Sequence, residues 1–353
     1  MFSRLREVIM EDIPDLTSDT LERLRGLNIN SVYQLAVQTP SELASWINDV
    51  QFDVESASNL IGNARKILTE NEVLSKEFST ADDLLEKRNK ISRYTTGSEK
   101  FDAFLNGGIE SQAITEITGE FGSGKSQICH ALCVAANNLV ENSKLGDSDE
   151  NKQSKAETII FIDTENTFRV DRVYQIAEQN GFDPLIILQK IYHCKIFNSE
   201  ELESLINNLD KFIEQYNAKL VIVDSIISHH RAEFSGRGTL AERQQRLGKM
   251  LNKLRRYADI YNIAVVITNQ VVSYTDNPQF GSDYIKPAGG NIMGHSSTYR
   301  IFLKRSGKNR VATMFDSPYH PNQQVKFSIS DEGIQNANSY KSHESVDGGD
   351  SGW

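Results

Sequence analysis

What this chain has little of sets the first limits. Three cysteines in 353 residues, Cys129, Cys133 and Cys194, cannot build a disulfide framework. No stretch approaches the roughly 20 apolar residues that a membrane-spanning helix needs. The opening MFSRLREVIM has no long apolar segment of the kind a secretory leader carries. The expectation is a protein of the reducing compartment, cytoplasmic or chromosome-associated, with no membrane partner. A formal net charge of −10 excludes a surface that is basic all over. It leaves room for nucleic acid, since a local basic patch is enough. Metal-ligand clusters are missing too. His229 and His230 have no companions at ligand spacing, and Cys129 and Cys133, four apart on one helix, read as small apolar core residues.

What is present begins with Gly119-Glu120-Phe121-Gly122-Ser123-Gly124-Lys125-Ser126. This is the phosphate-loop pattern G-x-x-x-x-G-K-[ST], and its setting is right. Ala113 to Thr118 alternates like a strand, and Gln127 to Val140 reads as a helix. The glycines allow a tight turn whose N–H groups, with the helix N-terminus, converge on an anion. Lys125 supplies a point charge to the outer phosphates, and the Ser126 hydroxyl is a ligand for Mg²⁺. The sequence therefore predicts a bound nucleotide with Mg²⁺.

Around that loop the chain has the grammar of a doubly wound α/β domain. Short β-branched runs at Thr158–Asp163, Leu220–Asp224 and Ala264–Thr268 alternate with helices at 170–180, 199–216 and 239–260. Strands at Arg300–Lys304, Val311–Phe315 and Val325–Ser330 follow without helices between them, which predicts an antiparallel extension of a mostly parallel sheet. Residues 1–68 read as a small all-helical domain and 69–90 as a charged connector. The ATPase core runs over 91–335. Residues 141–157 and the tail 336–353 are too polar to order.

Several side chains complete a site. Asp224 closes an apolar strand, where a carboxylate can hold Mg²⁺ through water. Glu165, after the strand ending at Asp163, is the candidate to polarise an attacking water. Gln270 follows Ala264–Thr268 directly and can report the γ-phosphate. Between Ser228 and Arg246 lie Arg231, Phe234, Arg237 and Arg243, cations spaced with an aromatic as single-strand tracking requires; a plain solvated loop reads equally well on composition. Val271 to Gly290 is too long for a simple connector.

Taken together, GEFGSGKSQICH, FIDTENTFRVDRV, LVIVDS, RAEFSGRGTLAERQQRLGKMLNKL, VVITNQVV, GGNIMGHSSTYR and DSPYHP resemble the RecA-family strand-exchange recombinases, in the archaeal RadA branch and its eukaryotic counterparts. The resemblance spans about residues 70–335. It implies a RecA-like core and DNA-dependent ATP hydrolysis coupled to strand exchange on single- and double-stranded DNA, in self-assembled rings or filaments served by recombination mediators. It assigns Gly119 to Gln127 and Asp224 to the nucleotide and its metal, Lys125, Glu165 and Gln270 to turnover, and Arg172 to adenine. Arg231, Phe234, Arg237 and Arg243 fall to the first DNA loop, and Val271–Gly290 occupies the second. Phe78 and Ala81, in FSTA, match the polymerisation motif, in which the connector adds a strand to the neighbour's sheet. Asp316 and Pro318 match a cap on the adjacent subunit's ATP, with His295 in the coupling segment.

The chain also departs from the pattern. Ile13 to Asp19, where the family places hairpin glycines, has no glycine and two carboxylates, so duplex binding by residues 1–68 is not carried over. Tyr274 and Thr275 stand where smaller, more apolar residues are usual, and FRVDR replaces FRPER. A regulatory paralogue, binding ATP and partner recombinases without exchanging strands, is the alternative. The helical domain, Phe78 and the arginine-rich segment favour the recombinase.

Overall fold

The computed structural model describes residues 10–76, 78–89, 91–136, 157–234, 236, 238–274 and 284–337. Its centre is a nine-stranded sheet ordered β13-β12-β11-β10-β3-β7-β6-β4-β5. The strands are β3 (Ala113–Gly119), β4 (Thr158–Asp163), β5 (Ile191–Lys195), β6 (Ala218–Asp224), β7 (Ala264–Asn269), β10 (Tyr299–Ser306), β11 (Asn309–Asp316), β12 (Gln324–Ser330) and β13 (Gly333–Asn336). From β10 through β5 all neighbours run parallel; β10 to β13 pair antiparallel. A short pair, β1 (Arg93–Tyr94) with β2 (Ile109–Glu110), precedes the sheet, and β8 (Val271–Tyr274) with β9 (Tyr284–Pro287) forms a separate ribbon.

The alternation of side chains along each strand makes two cores. Leu220 and Ile222 of β6 join Ile159, Phe161 and Val266 beneath the helices Lys125–Ala135 and Val170–Gln179. Val221 and Val223 point the other way, with Ile160, Ile162 and Val265, onto the helices Ser199–Asn207, Leu209–Tyr216 and Leu240–Tyr261. A strand with period two and apolar residues on both faces has nowhere to sit but between two helical layers. Cys129 and Cys133 are fully buried in the first core, where burial raises both thiol pKa values.

Four α-helices lie within residues 18–70, Ser18–Gly26, Val32–Ala36, Pro40–Ile47 and Val54–Glu70, three of them capped by Thr17, Ser31 and Asp53. They rest on the core through Tyr33, stacked on Tyr261 at 5.4 Å, and Ser31, whose hydroxyl donates to Glu214 at 2.5 Å. The connector carries a helix of its own, Ala81–Asn89. Thr80 and Asp83 start it by exchanging side-chain and backbone hydrogen bonds, so FSTA is a bend leading into a helix within this chain. The stretch read as one helix over 199–216 is two, broken at Asn208. Asn336, counted with the polar tail, pairs with Phe327 at the sheet edge. Residues 137–156 and 338–353, which hold most of the two segments expected to lack order, lie outside the described residues, as do 275–283 of the long loop.

Candidate functional site

The phosphate-loop residues turn from the C-terminal end of β3 into the helix Lys125–Ala135. Gly124 caps that helix at φ 109°, and Gly122 sits at φ 72°. Both values favour glycine. Space matters as well: a Cβ on Gly119 would meet the Leu303 carbonyl at 2.6 Å, and one on Gly124 would meet Ile329 at 2.9 Å. Lys125 turns back over the loop, its Nζ donating to the carbonyls of Gly119 at 2.9 Å and Glu120 at 3.1 Å. Burial lowers its pKa, and the carboxylates of Asp224 and Glu165 oppose that fall. The Ser123 hydroxyl is buried without a hydrogen-bond partner. A glycine cradle, an ammonium that reaches only its own loop and an unsatisfied buried hydroxyl fit an anionic phosphate chain. Ser126 and Gln127 open the helix, whereas the Phe121 side chain is fully exposed.

Asp224, at the end of β6, is 1% exposed. Its carboxylate accepts from the hydroxyls of Thr268 and Thr167, the latter at 2.9 Å. On the next strand Asp163 shapes the loop bearing Glu165. Its oxygens accept the backbone N–H groups of Glu165 (3.2 Å), Thr167 (3.1 Å) and Phe168 (3.1 Å). A carboxylate that takes three N–H donors from one loop fixes where the loop goes.

The structure then joins residues that the sequence keeps apart. Gln270 Nε2 donates to Glu165 Oε1 at 2.6 Å, and Arg231 donates to Gln270 Oε1 at 2.8 Å. Arg231 lies on the short helix Ser228–Glu233, so this arginine of the DNA set faces the nucleotide site. The others lie elsewhere. Arg243, near the start of the helix Leu240–Tyr261, donates to the Phe234 carbonyl at 3.4 Å. Arg246 covers the Phe234 ring at 4.9 Å. Arg237 is outside the described residues. Within the stretch from Ser228 to Arg246, the helices Ser228–Glu233 and Leu240–Tyr261 take up most of the described residues.

Arg172 meets Gln127 at 2.9 Å and Gln175 at 2.6 Å, and also donates to the carbonyls of Ser330 and Asp331. These contacts put it beside the phosphate-loop helix, at the turn joining β12 and β13.

The five candidate interface residues, Phe78, Ala81, His295, Asp316 and Pro318, lie on other segments of the chain. Phe78 is 93% exposed at the connector bend, just before Ala81. His295 lies in the last turn of the helix Gly290–Ser296. Asp316 ends β11 opposite Arg300, which is level with Glu116, three residues before Gly119 on β3. That is about 10 Å back along the sheet and about 10 Å across it. Asp316, with Pro318 beyond it, therefore stands well away from its own phosphate loop.

Sequence reasoning missed Asp163 as a builder of the loop, and it missed His193, whose Nε2 lies 3.4 Å from Asp163 Oδ2. The only signal was the polar residue within IYHCK, which does not name its partner.

Compared with known proteins, the chain matches the sequence model of the family described as Rad51 over residues 87–337. It is 39% identical over 327 residues to the "DNA repair and recombination protein RadA" of Cenarchaeum symbiosum (strain A). That alignment covers 92% of this chain and 78% of the relative.

Proposed function

The chain belongs to the Rad51 family, and from that premise we propose that it is a DNA recombinase driven by ATP. It assembles on single-stranded DNA, pairs that strand with homologous duplex and exchanges strands in recombinational repair. The observation that carries this reading is the continuous contact from Arg231 through Gln270 to Glu165. A cation suited to DNA phosphate and a carboxylate suited to activating water share one amide.

The chemistry follows from positions. The glycine-rich loop and Lys125 bind the phosphate chain, with Arg172 and Gln127 beside the base. Ser126 and Asp224 would hold Mg²⁺, which would offset the negative charge of the phosphates. Glu165 Oε1 accepts a proton from the attacking water or orients it. Gln270 Nε2 donates one N–H to that oxygen and has a second N–H to offer a γ-phosphate. Arg231, drawn to a DNA phosphate, would leave Gln270, so DNA and nucleotide bias one switch. Single-stranded DNA makes its main contacts with Arg231, Phe234, Arg237 and Arg243, and base pairing reads the sequence.

Assembly rests on Phe78, an apolar ring shown to solvent, and on β5, which ends the sheet with one side unpaired. An open edge is where a neighbour's connector can add a strand. The position of Asp316 and Pro318 suits them to cap the nucleotide of the next subunit, with His295 on the same contact.

Electron microscopy with single-stranded DNA and ATP tests the proposal. Regular filaments are expected for the natural protein and none for Phe78→Glu, whose charge would enter an apolar pocket at a cost of several kcal/mol. Bare DNA with ATP-bound protein would mean a regulatory paralogue, and filaments from Phe78→Glu would move the interface.

A further inference from the structure

The structure assigns a role to His193, and it rests on the reading of Glu165 and of the β5 edge given above. We propose that His193 is a positioning residue for ATP turnover. From the outermost strand it holds the loop that carries Glu165, so a neighbour docked on that strand is felt at the hydrolytic carboxylate.

Two contacts join His193 to the loop. Its Nε2 lies 3.4 Å from Asp163 Oδ2, and its ring stacks on Phe168 at 4.8 Å, with 24° between the planes. Asp163 is the carboxylate that gathers the N–H groups of Glu165, Thr167 and Phe168, and Phe168 is the last residue gathered. His193 therefore bears on both ends of the five-residue turn from Thr164 to Phe168. The turn is held on its inner side by the helix of the phosphate loop. There His130 Nε2 accepts the Arg169 N–H at 3.0 Å, and the His130 ring lies 5.5 Å from Phe168. Thr164 is tied to Ser225 by paired hydrogen bonds of 2.7 and 2.8 Å, and Thr167 to Asp224 at 2.9 Å.

Among these anchors His193 is set apart by where it stands. The others are on inner strands or on the phosphate-loop helix. His193 is on β5, which among the described residues pairs with β4 alone, and one third of its side chain (33%) is exposed. A strand added to that edge would lie about 4.8 Å from the β5 backbone and would cover the imidazole. Covering removes competing water from the contact with Asp163, and a hydrogen bond to a carboxylate strengthens as its surroundings dry. Docking thereby stiffens the turn that aims Glu165. A small change in aim matters, because misplacing a reacting group by about 1 Å can cost about a hundredfold in rate.

The test uses full-length His193→Ala, His193→Phe and His193→Gln. For each, kcat and KM for ATP are measured while protein concentration is carried through the assembly range followed by light scattering. Alanine and phenylalanine remove the donor to Asp163, and turnover at full assembly is expected to fall between about 10- and 100-fold. KM and the assembly curve should not move. Glutamine can return an N–H to Asp163 and is expected to recover most of the loss. Turnover per subunit should rise with assembly in the natural protein and stay flat in His193→Ala. The proposal is overturned by normal kcat in the alanine and phenylalanine variants, by a loss confined to KM or assembly, by no recovery with glutamine, or by a parallel rise in His193→Ala. Glu165→Gln in the same assay keeps the two readings apart. Normal turnover there removes the base itself, whereas a dead Glu165→Gln beside a normal His193→Ala removes only this relay.

Discussion

At the scale of single residues, the chemistry here is a matter of which atoms share a hydrogen bond. Gln270 has one amide and serves two masters, Glu165 through nitrogen and Arg231 through oxygen. Glu165→Gln should still bind ATP yet turn it over about a hundredfold more slowly or worse, the usual loss when a general base is removed. Arg231→Ala should bind ATP normally but lose most of the stimulation by DNA, because the DNA phosphate has no partner left to pull from Gln270. Steady-state hydrolysis with and without single-stranded DNA measures both. Equal stimulation in Arg231→Ala would break the relay. A contiguous motif or a strand tip is what made Lys125, Asp224 and Glu165 candidates in the sequence. The direction of Arg231 was not legible, since composition announces a cation and says nothing of which way it turns. Asp163 and His193 are 30 positions apart, and only the pairing of β4 with β5 brings them together.

At the scale of elements, strands carrying β-branched or apolar runs were easy to read and β5 was not. Thr158–Asp163 is a run of β-branched and aromatic residues and forms as expected. The strand β5 has exposed Tyr192 and Lys195 among five residues, so it shows no apolar run. The break at Asn208 carries no glycine or proline to mark it.

The contact between the N-terminal helices and the core was equally hidden. It places Glu214 under Ser31 and Tyr261, both of which donate to its Oε1. Burial pushes the Glu214 carboxyl from 4.5 up to about 7, against the pull of those two hydrogen bonds. The folded state therefore holds a proton that the unfolded chain releases near 4.5. Stability from this group is complete below that value, and it falls as pH rises through about 7. Glu214→Gln should flatten this part of the profile and raise the melting temperature at pH 8 relative to pH 6, compared with the natural protein. Parallel pH profiles for the two proteins would show that the carboxyl is not the titrating group.

At the scale of the whole molecule, a net charge of −10 is compatible with the proposed DNA binding, because a local group of cations is enough and Arg231, Arg243 and Arg246 fall within one stretch after β6. Formal charge excluded a uniformly basic surface and could go no further. The proposed assembly surfaces come from family resemblance, because an exposed Phe78 and an edge strand such as β5 look alike in any chain until a second copy is imagined. The placement of Asp316, two strands from β3 and level with Glu116, adds a physical reason to look to the neighbour. The central claim is that nucleotide binding and DNA handling in this chain amount to strand exchange. It is tested most directly by incubating the protein and ATP with a single strand and a labelled homologous duplex, then counting displaced strand. The account predicts displacement that requires homology and ATP and disappears in Lys125→Ala, which cannot hold the phosphates. Filaments that hydrolyse ATP yet displace no homologous strand would contradict it.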